Sequence, residues 1–198
     1  MMLKELEIKL IIARNCAEPD EGAIIRKLGK PLKTERQKNY YFASVRGSMV
    51  RLRVTGDGAL LTLKRGGRRK GGFFSCEERE SALESREAAG IIASGCLQKG
   101  DYSGIKIEVD KKLLGMIENT RHYYRDFVVD FTDFPGGRSD AEVEIEVPEE
   151  GMFNAAMKRI SALLVSKGIA FSEQKETKFE RFLKAIKPEI SGKKPVEK

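Results

Sequence analysis

Several short segments of this chain alternate strictly between apolar and ionised residues. Residues 5–10 read ELEIKL, and residues 141–147 read AEVEIEV. Because successive side chains of a β-strand point to opposite faces, each segment predicts a strand with one apolar face and one charged face. A half-exposed sheet also alternates apolar with polar residues. Here the polar positions are nearly all ionised and are sorted by sign, which restricts how the strands can be arranged.

Other predicted strands repeat the pattern with charges of a single sign. Arg51 and Arg53 share one face of a strand, and so do Glu78 and Glu80. Like charges in line on a strand repel one another unless an opposite charge lies over them. A divalent cation would relieve the carboxylates, and a phosphate chain would relieve the guanidinium groups. The pattern therefore predicts a ring of strands lined by charge, and a charged sheet that faces solvent stays open as the alternative.

Length and charge favour one domain with an anionic partner. The chain has 198 residues, of which 40% are hydrophobic and 34% are charged, and its formal net charge is +7. We expect one domain over residues 1–190 and a disordered tail over residues 191–198. The positive charge indicates nucleic acid, nucleotide or polyphosphate without choosing among them.

Cysteine usage and hydropathy suggest a cytoplasmic protein without a membrane contact. No apolar run reaches membrane-spanning length, and the N-terminus lacks the pattern of a signal peptide. Cys16, Cys76 and Cys96 are widely spaced and odd in number, which fits neither a disulfide framework nor a zinc site. A reducing compartment is the simplest expectation.

Periodicity and turn residues predict an α+β order of elements. Strands are expected over residues 2–12, 36–44, 49–54, 59–65, 73–80, 119–124, 127–132 and 141–147. Helices are expected over residues 18–29, 81–97, 109–118 and 149–167, with a final helix within residues 173–187. The basic, glycine-rich segment 64–72 is expected to be a mobile hairpin loop.

The segment Glu5-Leu6-Glu7-Ile8-Lys9 resembles the ExExK signature of the CYTH family, also called triphosphate tunnel metalloenzymes. That family includes class IV adenylate cyclases, thiamine triphosphatases and inorganic triphosphatases. Further matches follow in the family's order, and the resemblance spans residue 3 to about residue 185. These matches are Tyr41, Arg51-Leu52-Arg53, Leu61-Thr62-Leu63-Lys64, Glu78, Glu80, Arg121, Asp130, the strand Glu142–Glu146 and Lys178.

The resemblance implies an eight-stranded antiparallel closed β-barrel, a tunnel open at both ends with a charged interior and helices packed outside. It implies triphosphate-binding cations at Lys9, Arg51, Arg53, Lys64, Arg121 and Lys178. It implies acidic residues for one or two divalent metals at Glu5, Glu7, Asp130, Glu142, Glu144 and Glu146. Which of these touch metal stays open, and the pairs Glu142/Glu144 and Glu144/Glu146 both fit. Tyr41 beside Lys64 resembles a proton-transfer pair, and Glu80 is expected to help orient these groups.

The function implied by the resemblance is a triphosphatase that depends on Mg²⁺ or Mn²⁺. Its substrate would be inorganic triphosphate, thiamine triphosphate or a nucleoside triphosphate. A class IV-type adenylate cyclase that makes cyclic AMP from ATP is the alternative, and a non-catalytic module that binds polyphosphate or RNA is a second one. The basic segment 64–72 keeps an RNA 5′-triphosphate open as substrate, and a homodimer is also left open.

Overall fold

The computed structural model describes residues 3–12, 20–45 and 47–191. The twelve strands of the described residues are β1 (Leu3–Ile12), β2 (Lys33–Phe42), β3 (Ser48–Val54), β4 (Ala59–Lys70), β5 (Phe73–Leu83), β6 (Cys96–Leu97), β7 (Gly100–Tyr102), β8 (Ile105–Ile107), β9 (Lys111–Tyr123), β10 (Val128–Phe134), β11 (Arg138–Glu146) and β12 (Phe171–Glu173). The helices are α1 (Glu21–Leu28), α2 (Ser85–Ser94), α3 (Phe153–Ser166) and α4 (Lys178–Ser191), and a short 3₁₀ helix covers Glu150–Met152.

Eight of the strands form a closed antiparallel ring. Their order is β10-β11-β1-β5-β4-β3-β2-β9, and β9 pairs with β10 to complete the circuit. Closure gives each of the eight strands a paired neighbour on both sides, and it creates an inner face that is separate from the outer face. The predicted eight-stranded antiparallel architecture is therefore confirmed.

The apolar faces of the strands point outward and are covered by helices. Ile8 of β1 belongs to a buried cluster with Ile24 of α1 and Leu164 of α3. On another side of the ring, Leu61 of β4 packs in a second cluster with Ile91 of α2. Each such side chain contributes roughly 1.5–3 kcal/mol when it leaves water. Because the helices cover the apolar side of the strands on the outside of the ring, the charged side of each strand faces the interior.

Helix α4 takes a different position from the other three. Phe182 of α4 is fully buried and packs against Tyr41, an inward-facing residue of β2, with tilted rings whose centroids are 4.9 Å apart. Gly115 of β9 lies directly beneath, where an added Cβ would come within 3.2 Å of the Phe182 ring. Side chains of α4 thus fill one end of the ring, whereas the resemblance implied a tunnel open at both ends.

The predicted helix over residues 109–118 is wrong, because Lys111–Tyr123 is one continuous strand. This strand pairs with β2 on one side and with β10 on the other. Without it the ring could not close, so pairing with two neighbours overrides the helical pattern of its first half.

The glycine-rich segment 64–72 is also more regular than predicted. Strand β4 continues to Lys70 and pairs with β5 beyond a register shift between Arg65 and Arg68. Only Gly71 and Gly72 remain as the turn. The basic side chains are therefore displayed on an exposed strand rather than on a loop.

Most other predicted elements are present with shifted bounds. Asp20 caps α1, since its carboxylate accepts a hydrogen bond of 2.9 Å from the Ala23 N–H. Residues 13–19, which include Cys16 and the start of the predicted first helix, lie outside the described residues, and so do residues 192–198 of the predicted tail. Ser191 ends α4. Within the described part of the chain, every helix lacks the length and apolar character needed to cross a bilayer.

Candidate active site

Strand register brings the charged residues together inside the ring. Lys9 of β1 lies opposite Glu144 of β11. Asp130 of β10 lies opposite Arg121 of β9 on one side and opposite Glu142 of β11 on the other. Residues directly opposite on paired strands point to the same face. The convergence of acidic and basic strands on one interior, which the alternation predicted, is what the structure shows.

A compact group of carboxylates forms the centre of this interior. Asp130, Glu142 and Glu144 each offer an oxygen within 4.8 Å of the others, and all three residues are buried. Three like charges at this distance are tolerated only with cations beside them. We call these three residues the acidic triad.

Four basic side chains neutralise the acidic triad. Arg121 donates to Asp130 at 2.8 and 2.6 Å and to Glu144 at 2.5 Å. Lys9 donates to Glu144 at 2.8 Å. From α4, Lys178 and Arg181 reach the triad as well. The buried ion pairs tie β1, β9, β10, β11 and α4 into one network.

The network moves several pKa values. Burial alone would raise the pKa of Asp130, but Lys178 and Arg121 outweigh it, so this pKa is lowered. Burial would also raise the pKa of Glu144. The attraction of Lys9 and Lys178 outweighs this effect and holds the pKa of Glu144 well below its usual range. Both carboxylates are therefore ionised at neutral pH, as ligands of a hard cation must be.

A second ionised group lies near the start of β1. The Lys64 ammonium contacts Glu5 and lies 3.4 Å from Glu78. The Cys76 thiol donates to Glu5 at 3.1 Å. Burial would raise the pKa of Glu5, yet the attraction of Lys64 and Lys9 lowers it to about 2.

Glu7 differs from its neighbour Glu5 on the same strand face. Its carboxylate lies 2.9 Å from the Lys9 ammonium. Burial raises the pKa of Glu7 to about 7, because the attraction of Lys9 does not offset it and Glu144 adds repulsion. Two glutamates of one motif thus hold their protons very differently.

The remaining predicted cations face the same interior. Arg51 donates to the Thr62 hydroxyl at 3.3 Å, and Thr62 donates to Glu80 at 3.2 Å. Arg53 donates to the Asn39 amide oxygen at 3.2 Å. Burial, together with Arg51 and Arg121, lowers the pKa of Arg53 to about 10. Glu80 is thus linked to Arg51 through Thr62, and its orienting role stays a prediction.

Two predicted site residues stand apart from the network. The Tyr41 ring packs against Phe179 and Phe182 beneath α4, and no hydrogen bond among the described residues joins it to Lys64. Glu146 is exposed where β11 ends, opposite Glu7. Of the two acid pairs left open by the sequence, the structure brings Glu142 and Glu144 together with Asp130.

Sequence reasoning missed three buried residues of this network. Arg181 pairs with Asp140 at 2.9 Å and with Glu142 at 2.7 Å. Asn119 donates to Asp130 at 3.0 Å. Two signals were present, because Arg181 is three residues after Lys178 on a helix and Asp140 is two residues before Glu142 on a strand.

The acidic triad fits a hard divalent cation. Its donors are carboxylate oxygens only, which suit Mg²⁺, Mn²⁺ or Ca²⁺ and not a soft metal. Lys178 already places a positive charge among these oxygens, which shows that the geometry accommodates a cation.

The sequence matches a known protein family, and the fold is similar to several solved structures. A family profile for the CYTH domain matches residues 3–179. Similar solved structures include HpAC1 from Hippeastrum, described as a candidate adenylyl cyclase with a dominant triphosphatase activity (21% identity, 91% of this chain and 95% of that chain covered, TM-score 0.70). Another is described as a candidate adenylate cyclase from Bacillus halodurans (21% identity, 90% and 98% covered, TM-score 0.62).

A third similar structure is the PH1819 protein from Pyrococcus horikoshii OT3 (16% identity, 90% and 98% covered, TM-score 0.60). No curated protein sequence matches the chain. At these identities the structural likeness establishes a common fold.

Proposed function

The chain belongs to the CYTH domain family, and from this premise we propose that it is a metal-dependent triphosphatase. The proposed substrate is inorganic triphosphate, thiamine triphosphate or a nucleoside triphosphate, and the proposed metal is Mg²⁺ or Mn²⁺. The observation that carries the proposal is the buried acidic triad, which lies within a ring of inward-pointing lysines and arginines. A site built only to bind anions has no use for buried carboxylates, because they repel the ligand.

The basic side chains would bind the triphosphate. Their roles would be to neutralise its charge, to hold the terminal phosphoryl group in line and to stabilise the leaving diphosphate. The arginines offer forked donors to phosphate oxygens, and the lysines offer point charges. The proposed binding residues are Lys9, Arg51, Arg53, Lys64, Arg121 and Lys178.

The carboxylates would divide between holding the metal and organising the cations. Asp130, Glu142 and Glu144 would hold the divalent ion, which supplies charge stabilisation to the phosphate oxygens when bound. Glu5 holds the Lys64 ammonium in place for the substrate. Glu80 fixes Arg51 through Thr62. Tyr41 and Lys64 are proposed to take part in proton transfer.

Phosphate release tests the proposal directly. Purified protein with Mg²⁺ or Mn²⁺ should release phosphate from one or more triphosphates, and chromatography of the ATP products separates hydrolysis from cyclisation. Glu144→Gln should abolish metal-dependent release. Glu146→Gln is the matched control, since Glu146 is the exposed glutamate on the same face of the same strand. Cyclic AMP as the main product would establish the cyclase, and tight phosphate binding without turnover would establish the binding module.

An RNA 5′-triphosphate is supported as a substrate by one specific observation. Arg65 is the last residue of β4 that pairs with β3, and Arg68 and Lys70 lie beyond that pairing; all three are exposed. Such a strip could bind the phosphates of a nucleic acid whose end enters the ring. Tighter binding of 5′-triphosphorylated RNA than of free nucleotide would support this substrate.

We propose a cytoplasmic location and one CYTH-like tunnel domain over residues 1–190. Cys76 and Cys96 are both free thiols, as a reducing compartment would keep them. Oligomeric state is testable by light scattering, and a mass of twice 22.2 kDa would establish the homodimer.

A further inference from the structure

The ammonium group of Lys178 lies among all three carboxylates of the acidic triad. Its Nζ is 2.6 Å from Asp130 Oδ2, 2.9 Å from Glu142 Oε1 and 3.6 Å from Glu144 Oε1. The Lys178 side chain is only 12% exposed.

The other cations of the site contact the triad from its margins. Lys9 reaches Glu144 alone, and Arg121 reaches Asp130 and Glu144. Arg181 reaches Glu142 through the oxygen that Lys178 does not use. Among the described residues, Lys178 is therefore the cation that contacts every member. An ion held jointly by the three carboxylates would have to lie where this ammonium lies.

We propose that Lys178 is a built-in counter-ion that occupies the metal position in the metal-free protein and is displaced when a divalent cation binds. This inference rests on the proposed function and concerns the same centre. An ammonium nitrogen and a metal ion cannot share the space between oxygens that lie within 4.8 Å of one another. Their mutual repulsion in a buried site also favours separation.

The displacement requires rotation of one side chain and leaves the fold intact. Lys178 is the first residue of α4, and its four-carbon chain ends in rotatable donors. One turn later, Arg181 and Phe182 are 2% and 0% exposed and hold the helix in the ring. The freed ammonium would face the ring interior, where a triphosphate offers new oxygen partners.

Displacement of the Lys178 ammonium couples the binding of the metal to the binding of the triphosphate. A metal that binds alone must displace the ammonium from three carboxylates, which weakens its affinity. A triphosphate that accepts the displaced ammonium recovers part of that free energy. Because coupling is reciprocal, the metal should strengthen triphosphate binding by the same factor.

Direct metal binding tests the inference without any substrate. Mn²⁺ affinity is measured by titration calorimetry or by electron paramagnetic resonance of free Mn²⁺. Lys178→Met should bind Mn²⁺ about tenfold more tightly than the wild-type protein, within the usual range of coupling between sites. Lys184→Met is the matched control, because it removes the same charge from the same helix at a side chain that is 57% exposed and pairs with Glu176. Its Mn²⁺ affinity should stay within about twofold of wild type.

A second measurement on the wild-type protein does not depend on a variant that folds. Reductive methylation followed by mass spectrometry reports how fast each lysine amine is labelled. Lys178 should be labelled slowly without metal and at least several times faster with saturating Mn²⁺, while exposed Lys184 is labelled at the same rate in both. An unchanged rate at Lys178 under saturating Mn²⁺ overturns the inference.

The possible failures are distinguishable. If the wild-type protein binds Mn²⁺ and releases phosphate, but Lys178→Met binds Mn²⁺ no more tightly, the counter-ion inference is wrong and the proposed function stands. If neither protein binds Mn²⁺ and no phosphate is released, the metal-dependent function is wrong and the inference falls with it.

Discussion

Arg121 holds Asp130 with two hydrogen bonds, Nε to Oδ1 at 2.8 Å and Nη2 to Oδ2 at 2.6 Å. The two residues are directly opposite each other on β9 and β10, the pair of strands that closes the ring. Asp130 is fully buried and also accepts from Lys178 and Asn119. One carboxylate thus joins ring closure, α4 and the acidic triad.

Asp130→Asn should lower both stability and activity. Removing one partner of a buried ion network costs about 3–5 kcal/mol, because the remaining charges lose their compensation. We expect a loss near the lower end of that range, since Glu144 still accompanies Arg121 and Lys178. Metal-dependent phosphate release should fall by roughly 100-fold or more. Urea denaturation and a phosphate-release assay measure the two effects.

Asp126→Asn is the control for Asp130→Asn. Asp126 lies in the turn before β10, is 53% exposed and is 3.9 Å from Arg159. An exposed pair of this kind contributes about 0–1 kcal/mol. Equal effects of the two substitutions would contradict the central position given to Asp130.

Glu7 should make the metal-free protein less stable as the pH rises. Its pKa is raised from 4.5 to about 7 by burial. Between these values the folded protein keeps a proton that the unfolded chain has released, so the free energy of unfolding falls with increasing pH. This stabilising contribution is complete below pH 4.5 and is lost as the pH passes through 7.

Glu7→Gln removes the titrating group and should flatten the decline between pH 5 and pH 8. The measurement is urea denaturation in the presence of a chelator, at several pH values across that window. Glu146→Gln, at the exposed residue opposite Glu7, should follow the wild-type curve. Identical slopes for Glu7→Gln and wild type would show that Glu7 does not retain its proton in the folded state.

Gly115→Ala should destabilise the contact between β9 and α4. Gly115 has a φ of +148°, which side-chain-bearing residues rarely adopt, and a Cβ there would lie 3.2 Å from the Phe182 ring. We expect a loss of about 1–3 kcal/mol from crowding and backbone strain. Phe182→Leu in the same chain should recover part of the loss, because it removes the ring from the crowded position.

Gly90→Ala is the control for Gly115→Ala, and it should stabilise the protein. Gly90 lies inside α2, and an added Cβ would meet nothing within 4 Å. Alanine in a helix interior is favoured over glycine by roughly 0.5–1 kcal/mol. Denaturant midpoints should therefore move in opposite directions for the two substitutions, and a shift in the same direction would count against the crowding argument.

The exposed basic strip should not affect turnover of a small triphosphate. Replacement of Arg65, Arg68 and Lys70 by glutamine should leave kcat/KM for inorganic triphosphate within about threefold, because these side chains lie outside the ring interior. If RNA uses the strip, its affinity should fall, and the salt dependence of binding should weaken by about 0.7 for each lost phosphate contact.

A second variant controls for net charge. Lys99, Lys106 and Lys112 are exposed elsewhere on the chain, and their replacement by glutamine removes the same charge. RNA binding should distinguish the two triple variants. A large loss of inorganic triphosphate hydrolysis only when Arg65, Arg68 and Lys70 are replaced would place the strip within the active site.

Local alternation predicted much of the ring. The ELEIKL and AEVEIEV segments are strands with their charges on one face, as in the structure. Most of the charged residues that the sequence assigned to an interior converge there, whereas Glu146 is exposed. The resemblance placed the chain in one family of tunnels. Alternation is a property of neighbouring residues, so it is readable before any tertiary contact is known.

The partners of each charge were decided by tertiary structure. Lys178 was expected among the phosphate-binding cations, and the fold places its ammonium within the acidic triad. Arg181 was missed although it lies three residues after Lys178, because the insertion of α4 into the ring is set by tertiary packing. The strand at Lys111–Tyr123 was predicted to begin as a helix, because its partners β2 and β10 are distant or later in the chain.

The sequence by itself determined which residues could be strands, which faces of those strands are charged and the sign of each face. Only the tertiary structure decided the register between strands far apart in the chain, the insertion of α4 and thus which carboxylates meet which cations. The physical reason is that side-chain alternation follows from the geometry of a single strand. Ion-pair energies at close range depend instead on ångström separations, and only ring closure and helix packing set those separations.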